Sequence, residues 1–182
     1  MKQDHVIARR IRDITQACSD KLYANVNIPP EDIEIISVVI EEFVDKFHHG
    51  KEEQAYFPQT KYKNGFREDI RKFLIEHELG RRIARMLLKE LKKRKKDGNN
   101  LWREPVARFL KSYAVFITDH TGKEDSFFDL VEERRSISDE EDEMLMRHYE
   151  NCENTVGGKE RIEQMLKLVE YLEDQEWMKK EL

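Results

Sequence analysis

Apolar residues return every three or four positions along four long stretches of this chain, and little interrupts them. Ile7, Ile11, Ile14, Cys18 and Leu22 mark the first, and Ile33, Ile36, Ile40, Phe43 and Phe47 the second. Phe66, Ile70, Phe73, His77, Ala84, Leu88 and Leu91 mark the third. Val106, Phe109, Tyr113, Ile117, His120, Glu124, Phe127 and Val131 mark the fourth. Such spacing lines one face of an α-helix and does not fit the alternation of a strand. Seven glycines and four prolines leave few places to break a helix, and 39% charged residues supply the outer faces.

Local signals set the boundaries. The first helix covers about 2–24. Pro29-Pro30-Glu31-Asp32 opens the second, with proline and acids in its first turn, and Pro58 is expected to end it. The third spans about 66–96 and stops at Asp97-Gly98-Asn99-Asn100, and the fourth runs over about 101–135. Ser138-x-x-Glu141 is a capping box for a fifth helix, and Gly157-Gly158 separates it from a sixth over about 159–180. The pattern predicts an all-α fold: an antiparallel up-down four-helix bundle over 1–135, with a C-terminal helical extension over 136–182 packed on it.

Charge and composition exclude several classes. A net charge of −5 argues against a nucleic-acid partner. No apolar run approaches the ~20 residues of a membrane span, and Met1-Lys2-Gln3-Asp4-His5 has no signal-peptide core. Cys18 and Cys152 form no CxxC, which points to free thiols in a reducing cytoplasm. The basic run 89–96 suits a helix C-terminus and the acidic run 139–143 a helix start, so neither requires a partner.

Two segments nearly repeat. His48-His49-Gly50-Lys51-Glu52-Glu53 and His120-Thr121-Gly122-Lys123-Glu124-Asp125 each place a His and a Glu four residues apart, on one helical face. Imidazole and carboxylate together suit iron, manganese or zinc. At about 1.5 Å per residue, roughly 20 residues separate each of His5, His48, His77 and His120 from its nearest tight turn, so all four reach about one height. On a wheel of about 100° per residue, His77, His120 and Glu124 sit at the centre of their stripes. His5 and His48 lie a quarter turn or more off theirs, and His148 is a spare for His5. His49, Glu53 and Asp125 are expected outside or behind the ligands. Tyr113, one heptad before His120, either packs in the core or meets a glutamate or a metal-bound oxygen with its hydroxyl. Ferritin-like di-iron enzymes use Glu-x-x-His on two helices, a motif absent here; Asp45-Lys46-Phe47-His48 comes nearest.

These residues resemble the hemerythrin-like, HHE cation-binding family. The matching pieces are Asp4-His5, the stretch from Phe47 through His48-His49-Gly50-Lys51-Glu52-Glu53 to Phe57-Pro58, Glu76-His77-Glu78, and the stretch from Tyr113 through His120 and Glu124 to Phe127-Phe128. The resemblance implies two iron ions, bridged by two carboxylates and an oxo or hydroxo group. His5, His48, His77 and His120 would be terminal ligands, and Glu52 and Glu124 would bridge. The oxygen carriers of the family have a further histidine where this chain has Phe73. Six ligands instead of seven imply an exchangeable position and lean towards reaction over carriage. The implied function is binding of, or reaction with, oxygen, nitric oxide or peroxide. The alternative is iron storage or delivery, or repair of damaged iron centres. A protein partner or a homodimer stays open.

Overall fold

A computed structural model describes residues 1–97, 100–134 and 136–179; the chain is all-helical, and no strand occurs among the described residues. Helix α1 (Lys2–Tyr23) buries Ala8, Ile11, Ile14, Cys18 and Leu22 on one face. It ends where Asn25 takes a positive φ of 60°, a conformation asparagine tolerates better than most residues.

Helix α2 (Pro30–Val39) starts on Pro30, whose missing N–H costs nothing in a first turn. Its backbone then widens into π-helical turns over Ile40–His49 and again over Glu52–Tyr56. The expected stop before Pro58 is not seen. A short α3 (Phe57–Thr60) carries on through it, because Pro58 falls in the first turn of a fresh α-helical segment and its absent donor is not needed there.

Helix α4 (Arg67–Asp97) and helix α5 (Arg103–Glu133) are the longest, joined in part by a 3-10 turn at Asn100–Trp102. The expected turn residues Gly98 and Asn99 and the expected helix ends at Arg135 and Lys180 lie outside the described residues. Helix α6 (Asp139–Thr155) opens on the capping box: Ser138 accepts from the Glu141 amide, and the Glu141 carboxylate accepts from the Ser138 amide. Helix α7 (Gly158–Glu173) ends earlier than the sequence pattern suggests, and a 3-10 turn at Glu176–Met178 follows it.

Helix α5 packs along α1 and α4, and α7 lies against α1 and α2. That extra neighbour explains why the apolar stripes of α1 and α2 are wider than a four-helix contact needs. Two apolar clusters result. An aliphatic one gathers Ile11, Ile14, Ile33, Ile36, Leu87, Leu110, Met165 and Leu172 with Trp177. An aromatic one gathers Phe57, Phe66, Phe73, Phe127 and Phe128 with Ile70 and Leu145. Buried Asp32 ties the C-terminal turn down by accepting from Trp177 Nε1 at 2.8 Å and from the Tyr171 hydroxyl at 3.1 Å. No helix among the described residues is long and apolar enough to cross a membrane.

Candidate metal centre

Between the two apolar clusters runs a layer of polar side chains. Helix α1 contributes His5, the π-helical run contributes His48, His49 and Glu52, α4 contributes His77, and α5 contributes His120 and Glu124; all seven are buried. Hydrogen bonds that span five residues put more residues in each turn, so fewer degrees separate successive side chains. The wider turn therefore swings His48 and its neighbour His49 towards the same interior. A regular 100° wheel places His49 outside.

The imidazoles converge on two carboxylates. Glu52 Oε1 faces His48 Nε2 at 3.6 Å and His5 Nε2 at 3.9 Å, while Oε2 faces His77 Nε2 at 3.3 Å. Glu124 Oε2 lies 3.3 Å from His5 Nε2 and 3.1 Å from His120 Nε2, and Oε1 lies 3.3 Å from His77 Nε2. Each glutamate thus offers its two oxygens to different histidines.

Behind this layer the far ring nitrogens meet a closed circuit of carboxylates. Asp4 on α1 faces His48 Nδ1 of the π-helical run at 3.5 Å. His77 Nδ1 on α4 donates to Glu53 of the π-helical run at 2.7 Å, His120 Nδ1 on α5 to Glu76 of α4 at 2.8 Å, and His5 Nδ1 on α1 to Asp125 of α5 at 2.7 Å. Every carboxylate is the sequence neighbour of one member of the inner layer and serves the histidine of another helix. Each is also backed by a cation: Lys51 on Asp4, Arg81 on Glu53 at 2.8 Å, Lys123 on Glu76 at 2.8 Å, and Arg9 on Asp125. An imidazole that donates from Nδ1 keeps its Nε2 lone pair free and aimed inward.

The same contacts set the electrostatics of the layer. Burial disfavours the Glu124 charge, but His5, His77 and His120 outweigh it and hold the carboxyl well below its usual range. Burial likewise opposes the Asp4 charge, and His48 with Lys51 reverses the balance. Burial opposes protonation of His77, yet Glu124, Glu52 and Glu53 raise its pKa well above the usual value. His49 goes the other way, pushed well down by complete burial and by His77, His48 and His120 beside it.

Within the layer many protein groups find no protein partner. His5 Nε2, both nitrogens of His48 and of His49, both oxygens of Glu52, His120 Nε2 and Glu124 Oε2 are buried without a hydrogen-bond partner. Orphaned buried polar atoms are costly and rare, and a cluster of nitrogen and oxygen lone pairs facing one another fits a cation. Two groups have ligand atoms within 4.8 Å of one another: His5, His48, Glu52 and Glu124, and His49, Glu52, His77 and His120.

All six residues singled out from the sequence are therefore brought together. His5, expected off the stripe, is fully buried, and the spare His148 is exposed on α6. Glu53 and Asp125 stand behind histidines as expected. His49 is the residue that sequence reasoning places wrongly. Tyr113 is buried in the aliphatic cluster beside Phe116 and not on Glu52, whose oxygens have no hydrogen-bond partner.

No curated protein and no solved structure matches the chain. The hemerythrin HHE cation-binding domain matches residues 1–131, most of the chain and every residue of this layer. The protein belongs to the hemerythrin HHE cation-binding domain family.

Proposed function

We propose that the chain is an up-down four-helix bundle over 1–135, with α6 and α7 as an extension, whose polar layer holds two iron ions and reacts with a small oxidant: dioxygen, nitric oxide or peroxide. His5, His48, His77 and His120 serve as terminal ligands, and Glu52 and Glu124 bridge. The observation that carries this reading is the pair of ligand groups sharing Glu52, each glutamate presenting its two oxygens to different histidines.

Iron in such a site supplies redox change and an open position for a small ligand. The chain's own residues do the rest. The carboxylate circuit fixes ring orientation and raises ligand basicity. The neighbouring aromatics exclude water: Phe128 stacks on His5 with ring centres 5.6 Å apart, and Phe57 on His77 at 5.9 Å. A layer sealed this way excludes bulky substrates.

The test is anaerobic loading with ferrous iron, an iron count per chain, and an optical spectrum before and after dioxygen, nitric oxide or hydrogen peroxide. Two irons per chain and a spectrum that changes with one of the three are expected. A chain that takes up no iron, zinc or cobalt, or a loaded chain inert to all three, would overturn the reading.

A further inference from the structure

His49 has no role in the six-ligand scheme, yet its surroundings are those of a ligand. It is 2% exposed and both ring nitrogens lack a hydrogen-bond partner. The nearest acid behind it, Asp45, is 3.6 Å from Nδ1 and is itself held by Arg81 at 2.6 Å. Its ring lies 3.9 Å from His77 and 5.5 Å from His120, centre to centre. Across the layer, Phe73 sits one helical turn before His77 with its ring 6.1 Å from His120, and a phenyl offers no donor.

We propose that His49 is a seventh donor, supplied by the π-helical run of α2 in place of the nitrogen that Phe73 cannot give, and that the two cation sites are therefore unlike. This rests on the reading that the layer holds metal, and it adds a donor to that scheme. One site has His5, His48 and the two glutamates. The other has three imidazoles, His49, His77 and His120, with Glu52, and Glu124 also faces His77 and His120 from between the sites. Nitrogen-rich donor sets bind divalent Co2+ and Zn2+ better than carboxylate-rich ones of equal size, so the second site fills first. The rings of His49 and His77 are nearly parallel, at 14°. Both rings could aim a nitrogen at one ion only once that stack opened. The competing role for His49 is that of a neutral plate that only packs on His77.

Titration of the metal-free full chain with Co2+, followed by visible absorption and completed by Zn2+ competition, separates the two. The unmodified chain is expected to bind two ions in two resolved steps. His49→Phe keeps a flat ring over His77 but removes the donor. It is expected to weaken the first step by at least the ~10–100-fold that loss of a group behind a ligand costs, and to leave the second step within about twofold. Combining it with Phe73→His returns a donor to α4 and should recover most of the loss.

Hyperfine-shifted imidazole resonances of the Co2+-loaded unmodified chain give a readout that depends on no variant: five rings are expected, and four would overturn the proposal. Two unchanged steps in His49→Phe would overturn it as well, while leaving the metal-binding reading intact. An unmodified chain that binds no ion would remove both.

Discussion

The same helices run through two regions built on opposite principles. In the aliphatic cluster, side chains such as Ile33, Ile36, Leu87 and Leu110 are buried completely and need nothing further. Each contributes about 1.5–3 kcal/mol by leaving water. A few turns along, the same helices bury four histidines, His49 and two glutamates, and leave most of their inner atoms unpaired. Burial that stabilises the first region burdens the second, and a bound cation would offset that burden. Fold and site are thus separable: the aliphatic region folds the chain, and the polar layer spends part of that stability on a preformed binding site.

The largest expected effect tests the separation directly. Glu52→Ala or Glu124→Ala should lower metal content from two ions per chain to one or fewer, since each carboxylate faces both halves of the layer. The metal-induced rise in stability, about 4 kcal/mol at a thousandfold excess over Kd, should shrink or vanish. Full two-ion occupancy in both variants would break the bridging assignment.

Leu110→Ala probes the other region. A fully buried leucine cut to alanine costs about 2–5 kcal/mol. The loss should appear equally in metal-free and loaded protein by denaturant unfolding, with ion stoichiometry unchanged. A change in stoichiometry would show that the two regions are not separable after all.

The two regions also differ in how far they can be read from sequence. The aliphatic cluster follows from spacing alone, because any helix that keeps Ile11, Ile14 and Cys18 on one side buries them. Axial position is equally robust. Most of the counted residues are α-helical and only Ile40–His49 departs from that rise, so counting residues still puts His5, His48, His77 and His120 at about one height. Rotation about the axis is less legible. Over Ile40–Tyr56 the degrees per residue depart from those of an α-helix, and no residue type announces a π-helical run. A regular wheel misplaces His49 for that reason, and Pro58 reads as a stop because the new α-helical segment around it is invisible in sequence. The carboxylate circuit lies between the two cases. Asp4, Glu53, Glu76 and Asp125 stand next to inner residues in the chain, but each serves a histidine on another helix, and such pairing needs three dimensions.

The circuit sharpens the comparison at the next lower magnitude. Glu76→Gln keeps an acceptor for His120 Nδ1 but removes the charge shared with Lys123. Metal affinity should fall about tenfold, near the lower end for groups that stand behind a ligand. Asp125→Asn should act similarly through His5. Equilibrium competition with a chromophoric chelator measures both. Since Glu76 and Asp125 serve histidines in different halves of the layer, the two losses should fall on different binding steps. Equal losses on both steps would mean that the halves respond as one unit.

The smallest effect is expected at the seam between the regions. Gly80 on α4 faces Phe116, and a Cβ there would meet the ring at 2.5 Å from Cε1 and 2.7 Å from Cζ. Phe116 belongs to the aliphatic cluster and stacks on His120 with ring centres 5.0 Å apart and planes 17° from parallel. Gly80→Ala forces that ring to move, a cost of about 1–3 kcal/mol for overpacking. Helix propensity returns about 1 kcal/mol of it. The net loss in metal-free stability should therefore lie between about zero and 2 kcal/mol. What matters is where the displaced ring goes. If Phe116 yields towards solvent, where it is already 8% exposed, metal affinity stays as it was and only stability registers the change. If it turns against His120, the Nδ1 bond to Glu76 lengthens and affinity at the three-imidazole step falls with stability. His77 and Phe73 stand edge-on against His120, at 4.8 and 6.1 Å between ring centres, so the outward route is the easier one. Gly80→Ala is thus expected to lower the unfolding midpoint slightly while leaving the metal titration unchanged. A variant that loses affinity without losing stability would show that apolar packing sets the geometry of the layer.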